Sequence, residues 1–524
     1  MQEAHTAAPP RRTKAAGGLP ATLALALLAA LAGPVLTGCA LPRTDQPAPR
    51  ALPAAWSAGA AASAGPALDA AWWQSFDDPL LSALVAQALA ANTELRVAGA
   101  RLRAARAAAA VADAGLWPSV TGSVSAARST ATTGSEASTR VSAGLDAAWE
   151  PDLFGGQRAG LAAARADEAQ AVALQAAVRV SVAAEVARLY VLARATQRRL
   201  ALARANLRGQ DETLQLAHWQ ARAGLLNELD VEQARLTREQ SRALMAALQA
   251  GLARTRHALA LLLDQAPLAL DAALAAEPPT QAQAPAQAQE QAQGQAKSLS
   301  EAVADASAGL PRAPANVALG VPADLLRRRP DVAAAEQALT AATARVAVAD
   351  AARRPSFALT GSIALDAPHL GGLLKTGNRA SSLVGRLAAP LFDAGRLRQQ
   401  LEIQSAAQDQ ALASYEATLM AALREVEDAL SDIAQGRERV QALQAALDAA
   451  RQGAQLARHR QAAGLSDFAT VLDAERALRA TEDAWVTSQA DQVSAMIQLY
   501  KALGGGWASP SPQPSPLSTG SAAR

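Results

Sequence analysis

Two stretches of this sequence contain almost nothing that stops a helix. No proline lies between Pro151 and Pro267, and none between Pro390 and Pro510. From Gln157 to Ala223 the only glycines are Gly160 and Gly209. Proline removes a main-chain donor and clashes with the preceding turn, and glycine raises the entropy lost on ordering. A chain that avoids both is free to stay helical. A helix over 157–223 is roughly 100 Å long at 1.5 Å per residue, more than a globular core needs. The pattern predicts a coiled-coil-like rod that folds back at Gly224 into a second helix, and the same event at Gly464.

The fold-back points are written alike: "AGLLNELDVEQAR" at 223–235 and "AGLSDFATVLDAER" at 463–476. The likeness extends over both halves. Pro118 falls on Pro355, Phe154 on Phe392 and Leu259 on Leu499. A period this long is a duplicated domain, not a solenoid. Each half has the same order. A helix (about 78–115; about 331–352) meets a Pro-Ser stop. A strand follows, "SVTGSVSA" (119–126) or "SFALTGSIAL" (356–365), then a polar loop and a return strand (140–150; 382–392). The long helical hairpin comes last.

This order divides the chain into a signal (1–38), an N-terminal extended segment (39–77), a first repeat (78–267), a linker (268–316), a second repeat (317–503) and a tail (504–524). Within the repeats the β-hairpins span 118–150 and 355–391, and the helical hairpins 154–265 and 392–503. The linker holds a Gln/Ala/Pro-rich low-complexity run, and the tail reads as disordered.

Half the residues are apolar, but aromatics make up only 3%. With 49 basic and 47 acidic residues intermixed, the surface is balanced, and no nucleic-acid partner is indicated. Five scattered His and one Cys predict no metal site and no cofactor. No nucleophile–base pair, phosphate-cradling loop or catalytic carboxylate pair is present, so no catalytic residues are expected. Arg11, Arg12 and Lys14 precede an apolar run at 19–36, a secretory signal. It ends in "LTGC" (36–39), which resembles the bacterial lipoprotein signal and implies cleavage before Cys39 and lipidation there. No later run of 18 apolar residues follows, so no membrane helix is expected.

Four strands of about ten residues, each with one apolar face, match transmembrane β length. A lone hairpin in lipid leaves its edge groups unpaired, and four strands fall short of the roughly eight that close a bacterial barrel. Either the strands are soluble or several chains share one barrel. Trp117, Trp149, Phe154, Phe357 and Phe392 all lie at the helix-joined end of the strands, where a membrane-interface girdle belongs. The same placement fits the rim of a soluble sheet.

The segments "WWQSFDDPLLSALVAQALAANTELRVAGARL" (72–102), "LLRRRPDVAAAEQAL" (325–339), "APLFDAGRLR" (389–398), "AGLSDFATVLDAERAL" (463–478) and "LYKALGGGW" (499–507) resemble the TolC-like outer-membrane efflux family, in its lipoprotein branch of NodT/OprM-type ducts. The resemblance implies a mainly α chain with a membrane β-barrel portion. Three copies would build a 12-stranded barrel continued by a long α-helical barrel across the periplasm. It implies a passive exit duct of a tripartite pump, partnered by a periplasmic adaptor (membrane fusion protein), an inner-membrane RND-type transporter and outer-membrane lipid. Palmitate on Cys39 would be its only covalent addition.

The resemblance also marks the tip of the tube as the gate. Asp473, in "VLDA", matches a family aspartate, and threefold symmetry would make it a carboxylate ring. Asp230, in "LDVEQA", is taken as its first-half counterpart, and Thr470 stands where relatives carry a second acid. A plain solvated helix face fits the same residues. Gln461 and Ala221 occupy positions where relatives place a latching tyrosine. Gly224, Leu225, Gly464 and Leu465 are expected to serve the tip turn and adaptor docking. "RRRPD" (327–331) reads as a helix start rather than an anion site. Type I protein secretion shares this architecture. A trimeric adhesin is disfavoured because its four strands are consecutive, and a periplasmic coiled-coil scaffold leaves the hairpins unexplained.

Overall fold

The computed structural model describes residues 70–129, 138–267, 269–270, 309–312, 314, 328–373 and 375–506. After a 3₁₀ turn at Trp72–Phe76 come α1 (Pro79–Ala91), α2 (Thr93–Ala114), β1 (Ser119–Ser129), β2 (Ser138–Trp149), α3 (Gly156–Arg222) and α4 (Glu228–Leu262). The second half supplies α5 (Pro330–Ala351), β3 (Ser356–Ala367), β4 (Arg379–Ala388), α6 (Arg396–Ala462) and α7 (Phe468–Ala502). The chain divides into two compact units, one built around the strands and one around the helices.

The two rods, α3 and α6, are each 67 residues long, and each ends on a glycine with φ +71°. At the first, the Leu225 N–H donates to the Gln220 carbonyl (2.8 Å) and the Gly224 N–H to Ala221 (3.0 Å). At the second, Leu465 donates to Arg460 (2.8 Å) and Gly464 to Gln461 (2.9 Å). These are Schellman caps, which satisfy the last carbonyls of the rod through one left-handed residue. Asn227 then caps α4, its Oδ1 accepting from the Asp230 N–H at 2.9 Å. None of the helices among the described residues is long and apolar enough to cross a membrane.

The main core of the helical unit joins the Trp72–Phe76 turn and α1 to the middle of α3 and the ends of α4 and α7. Trp72, Leu80, Leu84, Val186, Leu259 and Ile497 are all buried there. Trp72 stacks on Tyr500 with ring centroids 5.2 Å apart. Asp78 caps α1, with Oδ1 accepting from the Leu81 N–H (2.9 Å) and Oδ2 from the Tyr190 hydroxyl (2.8 Å). The Arg194 Nε donates to that same hydroxyl at 3.0 Å. Burial, with Asp78 beside it, pushes the Tyr190 hydroxyl well above its ordinary value, so it stays a donor.

Several expectations change. The helix expected over about 78–115 is two helices, because buried Asn92 breaks it. Its Oδ1 accepts from the Glu94 N–H (2.9 Å) and Leu95 N–H (3.2 Å), and its Nδ2 donates to the Leu262 carbonyl (2.9 Å). The segment 39–77 is not extended throughout, since 72–76 is a buried turn. The tail does not begin at 504 as disorder. Gly504, Gly505 and Gly506 are buried, and a Cβ on Gly505 would lie 2.9 Å from the Tyr500 carbonyl oxygen and 3.0 Å from Trp72. Leu270 is likewise buried and Leu310 packs on the core, although both fall inside the expected linker. β4 stops at Ala388, short of the expected 392, just before Pro390 withdraws a ladder donor. The signal, Cys39 and the Gln-rich run lie outside the described residues.

Candidate functional site: a two-faced sheet and a hairpin tip

The strands form one antiparallel sheet in the order β1-β2-β3-β4. The two hairpins therefore pair with each other, through Val141 opposite Ala367 to Trp149 opposite Leu359. Directly opposed residues share a face, so the register sorts every side chain. One face carries Val120 and Val124 from β1, Leu145 from β2, Ile363 from β3, and Leu383 and Leu387 from β4. These six are more than half exposed, up to 80% for Val124. The opposite face is polar. Ser125 and Ser142 hydroxyls lie 2.7 Å apart, Ser362 and Ser382 2.8 Å, and Arg140 meets Asp366 at 3.3 Å. Asp146 and Arg386 share that face. Among the described residues, the outer edges of β1 and β4 have no partner strand.

The aromatic set falls at one end of this sheet. Trp117 precedes β1, Trp149 ends β2, Phe357 opens β3 opposite Leu387, and Phe154 and Phe392 follow β2 and β4. Trp117 and Phe392 are 70% and 91% exposed. Phe154 instead sits under the Arg354 guanidinium, 5.8 Å from its ring centroid.

At the tip, in the helical unit, Asp473 is exposed and accepts from Arg476 at 2.9 Å. The second Arg476 nitrogen donates to the Thr237 hydroxyl at 3.2 Å, tying α7 to α4. Asp230 is half-buried in the first turn of α4. It is not the helical equivalent of Asp473. Asp230 and Thr470 are each the third residue of their helix, whereas Asp473 lies one turn further on, level with Gln233. The two aspartates therefore sit at different heights. Gly224, Leu225, Gly464 and Leu465 are exposed at the turns. Phe468 and Leu472 pack with Val231, Ala234 and Ala217, fixing one tip against the other. Gln461 and Ala221 give only main-chain carbonyls to the caps.

Sequence reasoning missed a buried acid beside this tip. Glu475 Oε1 accepts from Arg458 Nε (3.1 Å) and Nη2 (3.0 Å), and Arg479 stands 3.7 Å from Oε2. The acid–base spacing in "DAERALR" was the available signal. Arg329, from the "RRRPD" run, is also buried. It grips Asp331 with two nitrogens (3.0 and 2.7 Å), Glu425 at 2.7 Å and the Ala502 carbonyl at 2.7 Å. It is a clamp on the start of α5 and the end of α7. No group of metal-ligating side chains is present among the described residues.

The family model of outer membrane efflux proteins matches residues 84–265 and 321–505, one block in each half. The chain belongs to the outer membrane efflux protein family. Among similar proteins, the solvent efflux pump outer membrane protein SrpC of Pseudomonas putida is 32% identical, over 90% of this chain and 96% of the relative. Outer membrane protein OprJ of Pseudomonas aeruginosa is 31% identical, over 92% and 95%. The solved outer-membrane channel OprN superposes with a TM-score of 0.76 at 34% identity, over 88% of this chain and 98% of that one. An outer membrane efflux protein is a transport protein of the outer membrane, which gives the two-faced sheet a membrane to face.

Proposed function

We propose that three copies of this chain close their sheets into one 12-stranded barrel and form the passive exit duct of a tripartite efflux pump. One observation carries the reading: a four-stranded sheet with an exposed apolar face, a polar face and two open edges. In lipid, open edges are untenable, and closure is the only arrangement that satisfies every main-chain group. The apolar face then meets hydrocarbon, the serine and charged face lines the lumen, and the aromatic end lies at the periplasmic interface. The helical unit supplies the periplasmic tube. Its tip carries Asp473 as a gate ring, with Asp230 and Thr470 level with each other nearer the turns. Leu225 and Leu465 beside Gly224 and Gly464 offer the contact for a periplasmic adaptor, which links the duct to an inner-membrane RND-type transporter. A lipid on Cys39 anchors the mature N-terminus. The duct performs no catalysis. The relatives' names, solvent efflux among them, favour small molecules over secreted proteins.

The test is the purified protein in detergent and in planar bilayers. A trimer-sized mass and a small resting conductance are expected. Asp473→Ala raises that conductance and weakens cation preference. A stable water-soluble monomer overturns the duct, and unchanged conductance and selectivity overturn the gate assignment alone.

A further inference from the structure

Six charged residues lie in the four strands, and the register separates them into two sets. Arg140, Asp146, Asp366 and Arg386 are on the polar face. Only Arg128 and Arg379 share the apolar face. Arg128 stands opposite Thr139, one pair beyond Ala126 and Val141 on that face, and Arg379 stands opposite Leu365. Both are exposed, both lie at the hairpin end of the sheet, and they occupy the two outermost strands. Neither makes an ion pair with a described residue, and no acid of the strands shares their face.

From this geometry we infer that Arg128 and Arg379 bind phosphate-bearing lipid headgroups of the outer leaflet, the lipid A of lipopolysaccharide, at each seam between copies; this rests on the trimeric barrel above. An arginine on the lipid face costs about 2–4 kcal/mol at the bilayer midplane and about 0–1 near the interface. Two such residues therefore mark headgroup level, which their long stems reach by snorkelling. The opposite end of every strand joins the helices that form the proposed periplasmic tube, so the hairpin end is the outer one. Antiparallel closure sets β4 of one copy beside β1 of the next. Each seam then brings one Arg379 and a neighbouring copy's Arg128 to the same end of the same face. Two guanidinium groups there repel unless an anion lies between them, and no strand of this face supplies one. Phosphate suits the guanidinium fork, which binds it through paired N–H groups.

The experiment titrates purified trimers with lipid A, with dephosphorylated lipid A and with inorganic phosphate. Retained lipid is read by native mass spectrometry. At about 1 kcal/mol per arginine at a charged surface, R128Q or R379Q lowers lipid A affinity about fivefold and the double variant about thirtyfold. R140Q, on the polar face, leaves it unchanged. Dephosphorylated lipid A binds the native trimer as weakly as lipid A binds the double variant, and inorganic phosphate does not compete at millimolar concentration. Equal lipid A binding by the native and double-variant trimers, or equal binding of the dephosphorylated lipid, overturns the site. Competition by inorganic phosphate makes it a free-anion site and overturns the lipid assignment. Should R128Q/R379Q fail to assemble, the single variants give the same reading. A native chain that forms no trimer shows in its mass before lipid is added and sinks the barrel instead.

Discussion

Aromatic residues are scarce in this chain, and two groups of them have opposite fates. Around α1, Trp72, Trp73 and Phe76 are buried against Tyr500 and Tyr190. At the end of the sheet, Trp117 and Phe392 stay largely exposed. The same chemistry is complete within one chain in the first region and incomplete in the second. The helical unit has made its core, whereas the sheet awaits hydrocarbon and neighbouring copies. Breaking this contrast requires a pair of equivalent truncations. Trp72→Ala removes a buried, stacked ring and should cost about 3–5 kcal/mol, read as the thermal melting of the detergent-solubilised protein. Trp117→Ala should stay within about 0.5 kcal/mol in the same assay. Equal losses would mean that the sheet end is also a finished core.

The sheet offers the next sharpest contrast, between adjacent residues of one strand. Leu383 is on the apolar face and Ser382 on the polar face. Leu383→Arg should cost about 2–4 kcal/mol if it meets lipid near the midplane, measured as folding into lipid bilayers. Ser382→Arg should be nearly neutral there and should shift ion preference in single-channel recordings. A reversed order of the two penalties would exchange the lumen and lipid faces.

The rods were legible because they depend on what the sequence lacks. The missing prolines and glycines place α3 and α6 within one residue of 157–223 and at its repeat, and Gly224 and Gly464 announce their caps. Strand periodicity showed each hairpin. It could not show that β2 pairs with β3, since no local signal joins Val141 to Ala367. The break at Asn92 was hidden for the same reason, because its anchor is the Leu262 carbonyl, far along the chain. Glycines 504–506 read as a loose tail, and only distant neighbours explain them: Arg329 and Pro330 crowd Gly504, and the Tyr500 carbonyl and the Trp72 ring crowd Gly505. At the tip, both fold-back stretches carry an aspartate, but only the helix starts at Glu228 and Phe468 show that Asp230 is level with Thr470 and that Asp473 lies one turn further on. Glu475 went unread because what sets it apart from a surface acid is the approach in space of Arg458 and Arg479.

A smaller effect sits at the clamp on α5. Burial pushes the Asp331 carboxyl up, and the two hydrogen bonds from Arg329, with the Val332 N–H, more than offset this, so its value lies below the ordinary carboxylate range. A depressed folded value gives stability that is present above the unfolded value and lost as pH falls through the folded one. The clamp should therefore hold at neutral pH and weaken below about pH 4. Asp331→Asn should lower the melting temperature at pH 7 and make it less sensitive to acid between about pH 5 and 3. An unchanged acid slope would remove Asp331 from the response.

The smallest effect tests the same contrast of burial on two neighbours in α6. Glu425 accepts from buried Arg329 at 2.7 Å, while Arg424 meets Asp428 at 3.4 Å with both side chains more than 60% exposed. Glu425 and Arg424 each make one ion pair, so distance and charge alone would rank them close together. Solvent separates them. The exposed pair is screened, and ordering two long side chains offsets most of its attraction, leaving about 0–0.5 kcal/mol. Glu425 touches a guanidinium that is almost wholly withdrawn from water, so its loss leaves a buried donor without one acceptor, at about 1–3 kcal/mol. Arg424→Ala should thus leave melting unchanged at any salt concentration, whereas Glu425→Ala should lower it even in high salt, where screening removes surface terms. If both fall together and both recover with salt, then Arg329 is not withdrawn from water, and the clamp at the start of the second repeat is no tighter than the surface around it.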